Sequence, residues 1–112
     1  EPILYGWKPG AAHTWLSDRK QATIWNYEKP KRNGAHPTMK PVALMAYPLR
    51  NSCPPRGIIV DFFLGSGSTL MAAQQTDRIC YGLEIDPRYC DVVVERFKTM
   101  FPNLEVKHIP AE

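Results

Sequence analysis

The sequence contains no apolar run long enough to cross a bilayer, and it has only three cysteines. Cys53, Cys80 and Cys90 form no Cys-x-x-Cys pair, which argues against a zinc site and against a disulfide framework. We therefore expect reduced thiols, no metal, no membrane contact and a cytoplasmic location. No signal peptide is visible and the first residue is Glu1, so we expect a fragment, a processed product or a trimmed chain.

Acidic residues are scarce in the first half of the chain. Residues 1–56 carry nine Lys and Arg against three Asp and Glu, whereas residues 57–112 carry five against eight. The basic half suits a phosphate backbone and the acidic half suits a cationic ligand, although an ordinary solvated surface is also compatible with charge alone. With 112 residues, 44% of them hydrophobic, the chain is one small domain at most, and it can bury a core.

The most informative part of the chain alternates strand and helix signals. The β-branched run 58–60 predicts a buried strand, and the good helix formers of 70–75 predict a helix. A second strand is predicted over 79–85, and Pro87 opens a helix that we expect over 87–100. The apolar side chains of this helix fall on one face, with Arg96 and Lys98 elsewhere, which predicts that it packs over the sheet. Strand, glycine-rich turn, helix and strand make a βαβ unit, whose ligands lie at the carboxyl ends of the strands.

The turn of this unit contains Gly65 and Gly67, and Ser68 or Thr69 is placed to cap the helix after it. Glu84, at the end of the second strand, is placed to accept hydrogen bonds from a ribose diol. The third glycine of a dinucleotide fingerprint is missing, and no Gly-Lys-Ser/Thr follows, so we expect a nucleoside without a pyrophosphate. The alternative is that the glycines only form a turn and Glu84 is solvated.

Weaker signals lie elsewhere. A helix is predicted over 42–51, with Pro41 at its start and Pro48 kinking or shortening it. His13 is expected to be a structural hydrogen-bonding group. Strands are predicted for three short runs: 3–5, 22–27 and 103–109. Core packing is the more common role for tryptophan and stacking on nucleic acid is the alternative, for all three of Trp7, Trp15 and Trp25.

Three motifs resemble those of the S-adenosylmethionine-dependent DNA amino-methyltransferases, which modify adenine N6 or cytosine N4. Residues 61–69 (Asp-Phe-Phe-Leu-Gly-Ser-Gly-Ser-Thr) resemble the first cofactor motif, with Phe62 where the family usually has proline. Residues 36–41 (His-Pro-Thr-Met-Lys-Pro) resemble the motif that precedes it in the circularly permuted β group, and residues 81–90 resemble the acidic motif that follows. The order and spacing of the three motifs make the resemblance specific.

The resemblance implies an α/β, Rossmann-like methyltransferase fold, present here in part as a C-terminal fragment. It implies S-adenosylmethionine as cofactor and DNA as partner, in an enzyme of restriction–modification. Residues 1–35 would end the segment that joins the catalytic and cofactor motifs, with DNA contacts among its candidate roles, and residues 36–112 would form the cofactor-binding βαβ region. The nucleoside part of the cofactor would be held by Asp61, Phe63, Gly65, Gly67 and Glu84, and its methionine part by Thr38 and Lys40. The alternative for the last two is a helix cap and an exposed lysine.

The catalytic Asp/Asn/Ser-Pro-Pro-Tyr/Phe/Trp motif of that family does not occur in the sequence. We therefore expect no catalytic residue in this chain and no activity from the chain alone. Asp86-Pro87-Arg88-Tyr89 lacks the second proline and begins a helix, so we treat it as a chance similarity. The missing part would be an N-terminal catalytic portion or a partner chain. Two alternatives stay open: a split or truncated methyltransferase that only binds cofactor or DNA, and a methyltransferase acting on RNA or a small molecule.

A basic cluster formed by Lys29, Lys31 and Arg32 lies beside a proline and an Asn-Gly pair, a composition that predicts a loop. Such a loop can follow a DNA backbone but offers few rigid side chains for base edges. The sequence therefore predicts phosphate contacts with little base specificity. The alternative is a solvated loop.

Overall fold

The computed structural model describes residues 1–29 and 39–111. Three helices and two strands follow one another as α1 (Val42–Ser52), β1 (Ile58–Asp61), α2 (Ser68–Gln75), β2 (Ile79–Gly82) and α3 (Pro87–Met100). The strands pair in parallel, with Ile58 opposite Ile79 and Asp61 opposite Gly82. Parallel strands need a crossover connection, and α2 supplies it. The predicted βαβ unit and the α/β fold class are confirmed.

The core is built around α2. Met71, Ala72 and Ala73 are buried where α1 and β2 contact this helix. The two alanines are small, so they let the neighbouring elements approach closely. Val93 and Phe97 of α3 are also buried, and they lie on the apolar face predicted for that helix.

Helices α3 and α2 differ in how their first turns are capped. The Asp86 side chain accepts a hydrogen bond from the backbone N–H of Arg88, and Pro87 opens α3 as predicted. In contrast, α2 begins at Ser68 after Gly67 in a left-handed conformation, and no side chain caps it. The predicted capping by Ser68 or Thr69 is therefore wrong, because the Ser68 hydroxyl donates to the backbone carbonyl of Lys40 instead.

The helix predicted over 42–51 is present as α1, and Pro48 does not shorten it. A proline inside a helix costs roughly 3 kcal/mol because it removes a backbone donor and crowds the preceding turn. Packing of α1 on α2, with Ala46 and Asn51 buried, offsets that cost.

The predicted strands at 3–5, 22–27 and 103–109 are wrong, and the second strand ends at Gly82 and not at residue 85. A strand needs a ladder of backbone hydrogen bonds to a neighbour, whereas residues 1–29 attach to α1 through side chains and through one backbone hydrogen bond, from the N–H of Leu16 to the carbonyl of Asn51 at 2.7 Å. The amides of Gln21 and Asn51 exchange two hydrogen bonds of 2.9 Å. Trp25 packs edge-on against Tyr47 with ring centroids 4.6 Å apart, so packing is confirmed for this tryptophan.

An aromatic cluster also lies in the first segment. His13 stacks on Trp7 with ring centroids 4.2 Å apart, and its Nε2 lies 2.7 Å from the hydroxyl of Tyr5. The structural hydrogen-bonding role predicted for His13 is confirmed. Tyr5 also donates to the carbonyl of Thr14, which fixes the ring within the segment.

Across the part of the chain that the structure describes, no helix combines the length and the apolarity needed to cross a bilayer. The three cysteines are free, and no group of three or more potential metal ligands occurs within the same described ranges. Three of the predicted site residues lie outside the described residues: Lys31, Arg32 and Thr38.

Candidate functional site

The candidate site is the loop that joins β1 to α2, together with the chain that leaves β2. Gly65 and Gly67 have φ angles of 59° and 86°, values that side chains other than glycine rarely adopt. A Cβ atom at Gly67 would lie 3.0 Å from a methyl group of Val93, so the tight turn also permits close packing on α3. Both strands present their carboxyl ends here because they run in parallel.

The carboxylate of Glu84 is held in place by two backbone N–H groups. One oxygen accepts from Gly65 at 2.7 Å and the other accepts from Asp86 at 3.0 Å. Glu84 is half-buried and thus joins the glycine turn to the start of α3, contrary to the alternative that it is only solvated. Each carboxylate oxygen can accept a further hydrogen bond, so the group remains able to bind two hydroxyls.

Asp61 and Phe63 shape the first part of the loop. One carboxylate oxygen of Asp61 accepts from the N–H of Phe63 at 2.9 Å, and the Asp61 carbonyl accepts from the N–H of Leu83 at 2.8 Å. Phe63 is 91% exposed, and Ile85, directly after Glu84, is 98% exposed. The structure therefore places a carboxylate, a glycine turn and two exposed apolar side chains along the same edge of the sheet.

Lys40 reaches the site through its backbone. Its carbonyl accepts a hydrogen bond of 2.5 Å from the hydroxyl of Ser68, the first residue of α2. Its ammonium pairs with the carboxylate of Glu1 at 2.5 Å, on the surface, and this hydrogen bond lowers the pKa of Glu1. The segment of Lys40 thus contacts the glycine turn while its charged end is bound elsewhere.

Among the described residues, two surface cavities are lined neither by the glycine turn nor by Glu84. One, of about 570 Å³, is lined by Tyr5, His13, Trp15, Ser17 and Arg19. The other, of about 420 Å³, lies beside the site because Met39 and Lys40 line it together with Lys29 and two aromatic residues, Trp25 and Tyr27. The second cavity therefore brings a predicted DNA-binding residue and a predicted cofactor-binding residue together.

Sequence reasoning missed Ser66 and Arg96. One guanidinium nitrogen of Arg96 donates to the carbonyl of Ser66 at 3.2 Å, to its hydroxyl at 3.3 Å and to the hydroxyl of Ser68 at 3.1 Å. We expected Arg96 away from the packing face of α3, and this is wrong. Burial lowers its pKa. The signal was present, because Arg96 follows Val93 by three residues, and positions three apart are neighbours on a helix.

The donor and acceptor groups of the site fit a nucleoside. The fixed carboxylate of Glu84 matches a diol, and exposed Phe63 and Ile85 offer apolar surface to a flat ring. The glycine turn lets a ligand approach the backbone. The net negative charge of residues 57–112 suits a ligand that carries a positive charge.

Comparison with known proteins agrees with this chemistry. The family model for N6/N4 methyltransferases, described as DNA methylase, matches residues 7–95. The type II methyltransferase M.Cfr9I of Citrobacter freundii is 34% identical over 80 residues, covering 71% of this chain and 27% of the relative. The M1.HpyAVI–SAM complex has a TM-score of 0.63 and 26% identity over 74% of this chain and 43% of that one. The PvuII DNA methyltransferase (cytosine-N4-specific) has a TM-score of 0.53 and 27% identity. The match covers 62% of this chain and 24% of the PvuII methyltransferase chain.

These proteins are longer than the chain, which spans 27% of M.Cfr9I and 43% of the M1.HpyAVI chain. The family match nevertheless extends over most of the described sequence and includes the glycine turn, Glu84 and Lys40. The chain belongs to the N6/N4 family of DNA methylases.

Proposed function

We propose that this chain is the cofactor-binding part of an enzyme that transfers a methyl group from S-adenosylmethionine to an exocyclic amine of DNA, adenine N6 or cytosine N4. The observation that carries the proposal is the Glu84 carboxylate, fixed by Gly65 and Asp86 at the carboxyl ends of two parallel strands. The solved relative M1.HpyAVI is a complex with SAM, and the PvuII enzyme is cytosine-N4-specific, which supports both the cofactor and the class of substrate.

In this proposal each part of the site binds one part of the cofactor. Glu84 accepts hydrogen bonds from the ribose hydroxyls, while Gly65 and Gly67 admit the nucleoside close to the backbone. Asp61 keeps the turn in shape and Phe63 contributes apolar surface. Thr38 and Lys40 would hold the methionine part, and the ammonium of Lys40 would exchange Glu1 for the cofactor carboxylate.

The chain would contribute to catalysis by positioning the cofactor. Bound S-adenosylmethionine would supply an electrophilic methyl group: the amine of the base would form a bond to the methyl carbon as the carbon–sulfur bond breaks in line, S-adenosylhomocysteine would leave, and the methylated amine would lose a proton. Holding the methyl group at a fixed place and angle is worth a large rate factor without any proton transfer by the chain. Asp86, the nearest similarity to a catalytic motif, caps α3 and pairs with Arg88, which supports a structural role for it.

Calorimetry with S-adenosylhomocysteine on the complete protein tests the cofactor role. We expect Glu84→Ala to weaken binding by roughly 1–3 kcal/mol, because hydrogen bonds to a charged group are lost. Glu95→Ala, which removes an exposed acid on α3, is the matched control and should leave the affinity unchanged. Equal affinities for the Glu84 variant and the unmodified protein would exclude Glu84 from the site.

A second candidate function is a methyltransferase part that works only with a partner chain or with an N-terminal catalytic portion. The observation that favours it is the exposure of the outer sheet face at Val60 and Tyr81, which parallel sheets normally cover. We expect the 112-residue chain to transfer no tritiated methyl groups to unmethylated DNA. Turnover by the purified chain would show that it contains the catalytic residues.

DNA as substrate and the three free thiols both favour a cytoplasmic location.

We also propose that Lys29, Lys31 and Arg32 bind DNA phosphates. Lys29 lines a cavity together with Lys40, which supports a position for Lys29 near the proposed cofactor site. Replacing all three by alanine in the complete protein should weaken binding about equally on cognate and random duplexes. The slope of log affinity against log salt concentration should become shallower by up to roughly three, about one for each lost contact. An unchanged slope would mean a solvated loop, and a loss confined to cognate DNA would mean base recognition.

A further inference from the structure

Arg96, on α3, binds the glycine turn at Ser66 and Ser68, whereas Glu84 binds it at Gly65. A single guanidinium nitrogen donates to the carbonyl and hydroxyl of Ser66 and to the hydroxyl of Ser68, all within 3.3 Å. Ser66 and Ser68 are buried, at 4% and 6% exposure, so water does not readily replace these contacts. The turn is therefore fixed at both ends, by Glu84 at Gly65 and by Arg96 at the two serines.

The same contacts extend to the segment of Lys40. The Ser68 hydroxyl has one hydrogen, which it donates to the carbonyl of Lys40, and it accepts from Arg96. Arg96, Ser68 and Lys40 thus form one directed chain of hydrogen bonds between α3, the start of α2 and the segment before α1. This chain joins the two stretches to which we assign the nucleoside part and the methionine part of the cofactor.

The charge of Arg96 is not used in an ion pair within the described residues. The ion pairs found there involve Lys40 with Glu1 and Arg88 with Asp86, whereas the half-buried guanidinium of Arg96 contacts oxygens of uncharged groups. Removing water from a cation without pairing it is unfavourable, which is the cause of the lowered pKa of Arg96. An ordinary surface arginine would stay in solvent, as Arg88 does.

We propose that Arg96 is a positioning residue for the cofactor. It fixes the turn at Ser66 and, through the hydroxyl of Ser68, sets the distance between that turn and Lys40. This inference rests on the proposed function, because it assigns Arg96 to the same cofactor site. Its effect is on the geometry of the groups that bind the cofactor, and small displacements of such groups lower affinity and rate.

The test is calorimetric binding of S-adenosylhomocysteine to the complete protein, combined with amide hydrogen exchange. We expect Arg96→Met and Ser68→Ala each to weaken binding by roughly ten-fold, about the effect of losing one hydrogen bond to a charged group. The double variant should be no weaker than Arg96→Met alone, since both changes break the same chain of bonds. Lys98→Met, on the exposed side of the same helix, is the matched control and should bind normally.

Two further readouts separate positioning from general stability. Arg96→Lys keeps a donor and should recover part of the affinity lost in Arg96→Met, whereas a purely steric role would not respond to the charge. The amides of residues 65–68 should exchange faster in Arg96→Met while those in the centre of α2 keep their protection. If Arg96→Met does not fold, Ser68→Ala and Arg96→Lys carry the same test.

Normal affinity in both Arg96→Met and Ser68→Ala, beside measurable binding by the unmodified protein, would overturn the role of Arg96 and leave the proposed function intact. A loss that Lys98→Met reproduces would overturn it in the same way. Absence of binding by the unmodified protein would instead overturn the proposed function, and the role of Arg96 with it.

Discussion

The two faces of the β1–β2 sheet both carry apolar side chains, but their surroundings are very different. On the inner face Ile59 and Cys80 are half-buried, on the side where α2 contacts β2. On the outer face the four side chains are 49–64% exposed: Ile58, Val60, Ile79 and Tyr81. These four residues form two directly opposed pairs, so the outer face is a continuous apolar surface.

This contrast identifies which face of the sheet the described residues cover. Parallel sheets are normally covered on both faces, and two strands alone are marginally stable in water. The inner face is already covered by α2, whereas the outer face fits additional polypeptide. The chain spans only 27% of M.Cfr9I, so relatives have the length to supply such a cover. Substitutions on the two faces should therefore have different consequences.

The largest effect on stability is expected at Met71, in the helix α2 that packs on the inner face. This side chain is fully buried in α2, and Met71→Ala should lower the free energy of unfolding by about 2–5 kcal/mol through lost transfer energy and a cavity. Urea unfolding followed by circular dichroism measures the loss. Gln74→Ala, on the exposed side of α2, is the control and should cost under about 0.5 kcal/mol. Similar values for the two variants would contradict a core centred on α2.

An intermediate effect is expected at Cys80 when pH rises. Burial, and secondarily the charge of Asp61, raises the pKa of the Cys80 thiol to about 11 from an ordinary value of 9.0. The folded state therefore favours the neutral thiol, so the stabilisation is complete below pH 9 and is lost as pH rises to about 11. The loss should be on the order of 1 kcal/mol, because the thiol is partly exposed and solvent screens its charge.

Unfolding free energies of the unmodified protein and of Cys80→Ala, measured from pH 8 to beyond that window, check this expectation. The variant should lack the part of the decline that belongs to the thiol. Parallel curves for the two proteins would mean that Cys80 ionises as freely in the folded chain as in the unfolded one.

The smallest effect is expected on the outer face, at Val60. Val60→Thr keeps the branched shape and should change the stability of this chain by no more than about 0.5 kcal/mol, because the site is already in water. Ile59→Thr, one residue away on the inner face, should cost about 1–3 kcal/mol because a hydroxyl is buried. In a longer protein that covers the outer face, the two costs should become similar. If Val60→Thr still left the stability of that longer protein nearly unchanged, the outer face would be exposed there too.

The βαβ unit and its site could be predicted because local signals were consistent with one another. The β-branched run 58–60, the glycine turn and the proline at the start of α3 each specify the structure that they adopt. Gly65 and Glu84 are nineteen residues apart, yet their contact follows from topology, since parallel strands joined by a helix end at the same edge. The assignment of the individual cofactor-binding residues remains a prediction.

The incorrect predictions concern residues whose local structural preference is overridden by a contact with another part of the chain. Ser68 has the right chemistry for a helix cap, but its hydroxyl is bound to the carbonyl of Lys40. The aromatic run 22–27 has strand-forming residues, but Trp25 packs on Tyr47 of α1, and within residues 1–29 and 39–111 no strand pairs with this run. Pro48 is unfavourable within a helix, but α1 is held by its packing on α2.

The sequence by itself determined the order of strands and helices between residues 58 and 100, and the glycine turn between β1 and α2. It did so because backbone preferences and apolar periodicity act over a few neighbouring residues. The packing of α3 on the glycine turn brings Arg96 to Ser66 and Ser68, which lie 30 and 28 residues earlier in the chain. The formation of these contacts depends on how closely the helices pack, which local sequence does not encode.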